Sequence, residues 1–173
     1  MTPTDTARDA PRACFIAAGL EVLGERWALL ALREMSLGVH RFDQIARNTG
    51  ASRDILTGRL RTLESHGVIE RVQYSERPPR HEYHLTTSGA EVAPILISLA
   101  AWSSTWMRDE TPRASYRHSC GADLNPVLTC AECGEEFRVG SLMLGPLVST
   151  ADAIPVERPH EPRNFNKTYI KRR

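Results

Sequence analysis

Between Phe42 and Thr86 the sequence runs through helix, turn, helix, strand, tip and strand patterns in under fifty residues, an order that few architectures accommodate. Phe42–Asn48 reads as a short helix with Ile45 and Ala46 inward, and Thr49-Gly50-Ala51 as a tight turn in which glycine supplies the backbone freedom. Ser52 begins the next helix, its hydroxyl capping free amides of the first turn and Asp54 adding favourable negative charge there. Ile55, Leu56, Leu60 and Leu63 give Ser52–His66 a side to bury, and Gly67 stops it. Arg53, Thr57 and Arg61 recur every four residues on another side. Val68–Tyr74 and Arg80–Thr86 follow as short strands around the tip Ser75-Glu76-Arg77-Pro78-Pro79, because proline cannot donate to a central ladder. With one small strand around Val39–Phe42, this order predicts an α+β fold of the winged helix-turn-helix type.

Upstream, residues 14–35 hold two apolar helical stretches with Gly24 between them: Ile16, Leu20 and Leu23, then Trp27 and Leu30, with Leu37 extending the surface. Downstream, Val92, Ile95, Leu96, Leu99, Trp102 and Trp106 trace a seam through a long helix expected to end near Asp109, with Pro94 in its first two turns. A stripe of this length exceeds what so small a domain needs to cover itself. It predicts a C-terminal dimerisation helix, although Trp102 and Trp106 would also suit the wall of a ligand cavity. The chain thus divides into a winged helix-turn-helix and dimerisation domain over residues 12–110, a small cysteine-bearing C-terminal module over 117–140, and a Pro-rich extension over 141–173 with a basic end. No window approaches 18 consecutive apolar residues and the first twelve residues are polar rather than signal-like, so no membrane partner is expected and the cytoplasm is the expected location.

The formal net charge of +1 hides a local excess. The window Arg47–Arg80 holds seven arginines against Asp54, Glu64, Glu70 and Glu76, a local charge of +3. Affinity for a duplex follows the basic surface that faces the phosphates, not the sum over the chain. The major groove admits a helix and presents a distinct donor and acceptor pattern for each base pair. Arg53, near a helix start, is therefore assigned to a guanine O6/N7 contact, and Thr57 to a base edge or phosphate. Arg61 and Ser52 are assigned to phosphates, and Arg77 and Arg80 to the backbone or adjacent minor groove, while Glu70 and Glu76 would repel phosphate, so not all of the window faces the duplex. The bland readings stand beside these: an arginine on a helix is often only solvated, and a charged hairpin tip also serves solubility. A winged-helix protein–protein interaction module is the rival function. It predicts acidic or apolar groups on the outer face of Ser52–His66, where Arg53, Thr57 and Arg61 stand. No convergent nucleophile or acid–base set is apparent, so an enzyme is not expected.

These residues resemble the HxlR-type bacterial transcriptional regulators, winged helix-turn-helix proteins related in shape to MarR-type regulators. The resemblance covers about residues 13–107. It is carried by Leu23-Gly24, Glu25-Arg26-Trp27 and Leu30, by Arg41-Phe42 and the Leu56–Leu63 helix, and by Gly67-Val68-Ile69-Glu70-Arg71. Pro78-Pro79-Arg80 leading to Glu82-Tyr83 and Leu85-Thr86 completes it. It implies a homodimer built on the N-terminal and long C-terminal helices, acting as a repressor or activator on double-stranded DNA at promoter operators, with small-molecule or redox effectors. In some relatives the cysteine corresponding to Cys14 is a redox-responsive thiol. Here it lies between Ala13 and Phe15 without a nearby lysine or histidine, so a buried or interfacial structural role stands as the alternative.

His118-x-Cys120-(x9)-Cys130-x-x-Cys133 lies beyond that core. The turn Cys130-Ala131-Glu132-Cys133-Gly134 is suited to direct two thiolates at one zinc ion, with Cys120 third and His118 fourth, and a segment this short has reason to fold around a metal. A metal-free ribbon and a cysteine switch are the alternatives. From Arg163 onward the chain carries five positive charges and no acid, read as added phosphate or partner contacts or as a solvated terminus.

Overall fold

The computed structural model of the chain describes residues 14–107, 113, 115–141 and 145. The expected helix end near Asp109, the domain limits at residues 12 and 110, and the basic tail lie outside them. Two compact units divide between Leu96 and Ile97.

The first unit is the α+β winged helix. Helix α1 (Phe15–Leu23) and α2 (Arg26–Ser36) are separated at Gly24-Glu25, followed by α3 (Phe42–Thr49) and α4 (Arg53–Ser65). An antiparallel pair, β1 (Ile69–Glu76) and β2 (Pro79–Leu85), then leads to the short α5 (Thr87–Ala90) and to α6 (Ala93–Trp106), whose first residues belong to this unit. The core collects Ala28, Ala31, Leu32 and Met35 of α2, Ile45 of α3, Leu56, Leu60 and Leu63 of α4, and Val68, Ile69 and Val92. One helical face per element is thereby removed from water, each large side chain contributing about 1.5–3 kcal/mol. Ile55 departs from the expected buried side of α4: at 44% exposure it is outside the core, as is Leu37 after α2. Periodicity had offered α4 four apolar positions, and three fill the available space.

Gly50 adopts φ 74°, the left-handed conformation that ends α3 and reverses the chain into α4. Glu34 of α2 is buried yet fully partnered: it pairs with Arg33 at 2.6 Å and accepts a hydrogen bond from Asn48 Nδ2 at 2.6 Å, clasping α2 to α3.

The expected strand at Val39–Phe42 contracts to a single bridge, Arg41 with Glu82, supported by Tyr83 N–H donating to His40 O at 2.9 Å. The hairpin tip is shorter than expected. Glu76 pairs with Pro79 across only Arg77-Pro78, with a bulge at Tyr74 between Gln73 and Ser75. Pro79 is tolerated because it opens its strand. The expected continuous long helix is broken at Glu91-Val92. Pro94 stands in the first turn of α6, where its missing N–H has no helical partner to lose.

In the second unit the rest of α6 is followed by two small hairpins, bridged at Arg117–Asp123 and at Thr129–Glu136. From Ile97 onward no described residue is buried. Among the described residues, no helix is long and apolar enough to cross a membrane.

Candidate nucleic-acid interface

Ser52 caps α4, its Oγ accepting from Ile55 N–H at 3.4 Å. This leaves the hydroxyl hydrogen to donate outward. Arg53 is exposed, but it is not unattached: Nη1 donates to Asp43 Oδ1 at 2.7 Å, and the guanidinium lies 5.0 Å from the centroid of Phe42. Both partners of this pair are open to solvent, where an ion pair is worth well under about 1 kcal/mol and yields readily to a better acceptor. The pair pre-positions Arg53 beside α3. Asp43 was not singled out from sequence because no single-helix periodicity joins residues on either side of a turn. Thr57 is half-buried and Arg61 exposed. Arg59, between them in sequence, reaches back to Glu25 at 3.5 Å, which anchors α4 to the start of α2.

Gly58 on α4 was not flagged by the sequence pattern. It lies inside α4 and is exposed, and a Cβ built there would meet nothing within 4 Å. Packing within the chain therefore does not require a glycine, and the helix carries a bare strip between its polar side chains.

The wing carries Arg77 in its tip and Arg80 opposite Ser75, both exposed. Arg71 and His81 meet across the hairpin at 3.0 Å. At the wing root, Arg41 bonds Glu82 at 3.2 Å and covers the bulged Tyr74 at 5.1 Å. His40 Nδ1 donates to Tyr83 O at 3.0 Å and stacks on His84, ring centroids 4.2 Å apart. Burial lowers the pKa of His40, and the neighbouring His84 lowers it further, against the raising effects of Tyr83 O and Glu82. These contacts key the wing to the residues just before α3, so helix and wing are presented as one surface.

Cys14 caps α1, its Sγ accepting from Ala17 N–H at 3.3 Å, and it is exposed rather than buried. Of the seam expected to join two protomers, Val92 departs: it is 6% exposed and belongs to the core. Ile95, Leu99, Trp102 and Trp106 stand between 46% and 72% exposed on α6.

The cysteine module forms two pairs of donors. His118 and Cys120 share one hairpin turn, where the N–H of Ala122, and then His118, hold the Cys120 thiol below its ordinary range. Cys130 and Cys133 share the other, where the N–H groups of Cys133 and Glu132 lower Cys130 in the same way. Among the described residues, no three His, Cys, Asp or Glu side chains are gathered at one point.

Residues 22–111, about half the chain, match the HxlR-like helix-turn-helix family. An uncharacterized HTH-type transcriptional regulator of Mycobacterium tuberculosis is 45% identical over 124 residues, 70% of this chain and 78% of its own. Among solved structures, PA1607, named as a transcription factor, is similar with a TM-score of 0.68 at 25% identity, covering 82% of this chain and 99% of its own. The redox regulator HypR in its oxidized form is similar with a TM-score of 0.50 at 31% identity, over 56% of this chain and 99% of its own. These relatives and this fold are those of transcription regulators, not enzymes. The chain therefore belongs to the HxlR-like helix-turn-helix family and is a DNA-binding transcriptional regulator.

Proposed function

We propose that the protein binds a near-palindromic promoter operator as a homodimer, with α4 in the major groove and the wing on the flanking backbone, and regulates the promoter it occupies. One observation carries this reading. Helix α4 buries Leu56, Leu60 and Leu63 while directing Arg53 and Arg61 to solvent, with Thr57 and the bare Gly58 between them. A helix anchored on one side and basic on the other is what the groove accepts.

Arg53 exchanges its exposed contact with Asp43 for a guanine O6/N7 edge, which offers two aligned acceptors. Thr57 meets a base edge or phosphate, and the exposed Ile55 supplies an apolar surface of the kind that packs on a thymine methyl. Ser52, Arg61, Arg77 and Arg80 hold the phosphates, giving register and a salt-dependent share of affinity.

A second copy is the partner proposed for the apolar side chains that the chain does not cover itself. Helix α1 leaves Phe15, Ile16 and Leu20 exposed, and α6 leaves Ile95, Leu99, Trp102 and Trp106 exposed. Pairing presents two recognition helices to two half-sites and multiplies a modest single-site affinity. The likeness to HypR supports a redox effector, and Cys14, exposed at a helix start, is its candidate thiol.

The test is selection of bound genomic fragments, then titration of the recovered duplex against a scrambled one at two salt concentrations. The selected duplex binds more tightly at both. Arg53→Ala costs about 1–3 kcal/mol and relaxes preference at one base pair. Arg61→Ala and Arg80→Ala weaken all sequences alike and reduce the salt slope. Equal affinity for both duplexes would sink the reading.

A further inference from the structure

The second unit has a problem that its own side chains do not solve. Its two hairpins bury no described residue, and Val127, Leu128, Phe137 and Val139 are all half exposed or more. A segment without an apolar core gains too little from burial to offset its ordering entropy. Yet the backbone is specifically turned. In one hairpin His118 N–H donates to Ala122 O and Gly121 N–H to His118 O, both at 2.9 Å. In the other, Cys130 N–H donates to Glu135 O at 2.9 Å and Gly134 N–H to Cys130 O at 2.8 Å.

Both turns carry sulfur at the tip, followed directly by a glycine in the left-handed region, Gly121 at φ 92° and Gly134 at φ 74°. A turn shaped this way twice in some twenty residues, each time with two donors and no hydrophobic reason to exist, has metal chemistry rather than packing as its common cause.

We propose that Cys120, Cys130, Cys133 and His118 together bind one structural zinc ion, which draws the two hairpin tips onto a single centre and folds the module. The donors stand as two pairs, one per hairpin, and the ion is the link that gathers them. Three thiols release their protons to solvent on binding, and the imidazole contributes a lone pair. In the structure His118 Nδ1 accepts only a long 3.3 Å bond from Cys120 N–H. Four protein ligands close a tetrahedral shell and leave no position for a reacting water, so the site is structural and not catalytic. Zinc fits this sulfur-rich, mixed nitrogen set better than harder cations, which prefer oxygen.

The full chain, purified under reducing conditions without chelator, is expected to carry one zinc per chain. After zinc removal, titration with cobalt(II) is expected to give the visible bands of a tetrahedral site with sulfur-to-cobalt charge transfer. Cys120→Ser lowers that charge-transfer intensity, His118→Ala weakens cobalt affinity while keeping it, and Cys130→Ser with Cys133→Ser removes both cobalt and zinc binding. The helical circular dichroism of the first unit stays unchanged throughout, which separates ligand loss from unfolding. Wild-type protein free of zinc and giving no tetrahedral cobalt spectrum overturns the proposal. So does undiminished zinc in the Cys130→Ser, Cys133→Ser double variant, or a Cys130–Cys133 disulfide persisting under the same reducing conditions.

Discussion

Gly58 stands in the middle of α4, where an alanine would serve the helix better and nothing in the chain would obstruct it. Glycine at an exposed helical position costs about 0.5–1 kcal/mol relative to alanine, because more backbone freedom is lost on folding. A residue that weakens its own helix and relieves no clash finds its use in what approaches from outside. With α4 in the groove as proposed, the missing side chain would let the backbone come closer to DNA. Gly58→Ala is therefore expected to raise the urea midpoint by the equivalent of about 0.5–1 kcal/mol while weakening operator binding. Unchanged affinity in the stabilised variant would remove Gly58 from the interface. The neighbouring Arg53 shows why a residue's role was only half legible in sequence. Its place at a helix start marked it as a contact, whereas its partner Asp43, at 2.7 Å, lies on another helix across a turn.

At the scale of elements, the link from wing to α5 is held by close backbone approach. Thr86 Oγ1 lies 2.6 Å from Gly67 O and 3.0 Å from Val68 O, and Ser88 Oγ donates to Gly67 O at 2.9 Å. Gly89 is the second glycine that contrasts with Gly58, since a Cβ there would stand 2.1 Å from Val68 O. The obstruction is backbone, which cannot swing aside as a flexible side chain would. Gly89→Ala is expected to destabilise by about 1–3 kcal/mol in chemical denaturation, the usual range for overpacking. A loss near zero would mean that α5 shifts freely against the wing. The same junction explains the broken helix. Val92 is drawn into the core just where a continuous seam would have kept it outward, and α6 starts afresh with Pro94 in its first turn.

For the molecule as a whole, the decisive quantity is what the chain leaves uncovered. Trp102 and Trp106 are half exposed or more, and exposed aromatic surface of this kind is costly unless a partner removes it from water. Leu99→Glu with Trp102→Glu is expected to yield monomers in sedimentation equilibrium, with helical content retained because neither residue lies in the core. Operator affinity then falls toward that of a single half-site. A wild-type chain that sediments as a monomer at micromolar concentration would remove the homodimer.

The sequence by itself determined the helix, turn, helix and hairpin order of residues 42–85 and the family. Helical spacing, Ser52 at a cap, Gly50 and Gly67 at helix ends and proline at a hairpin tip are local signals, and local backbone preferences act without distant partners. It also marked the polar face of α4, because a helix repeats its faces within its own length. Tertiary structure alone decided which apolar residues the core accepts. Ile55 stays out and Val92 goes in because the space beneath α4 and beside the wing is fixed by other elements. Tertiary structure also made the pairs Arg53–Asp43, Glu34–Asn48 and Arg41–Glu82, which join residues that no period connects. Charge and periodicity name the candidates. Three-dimensional proximity sets which of them are already held by a partner within the chain.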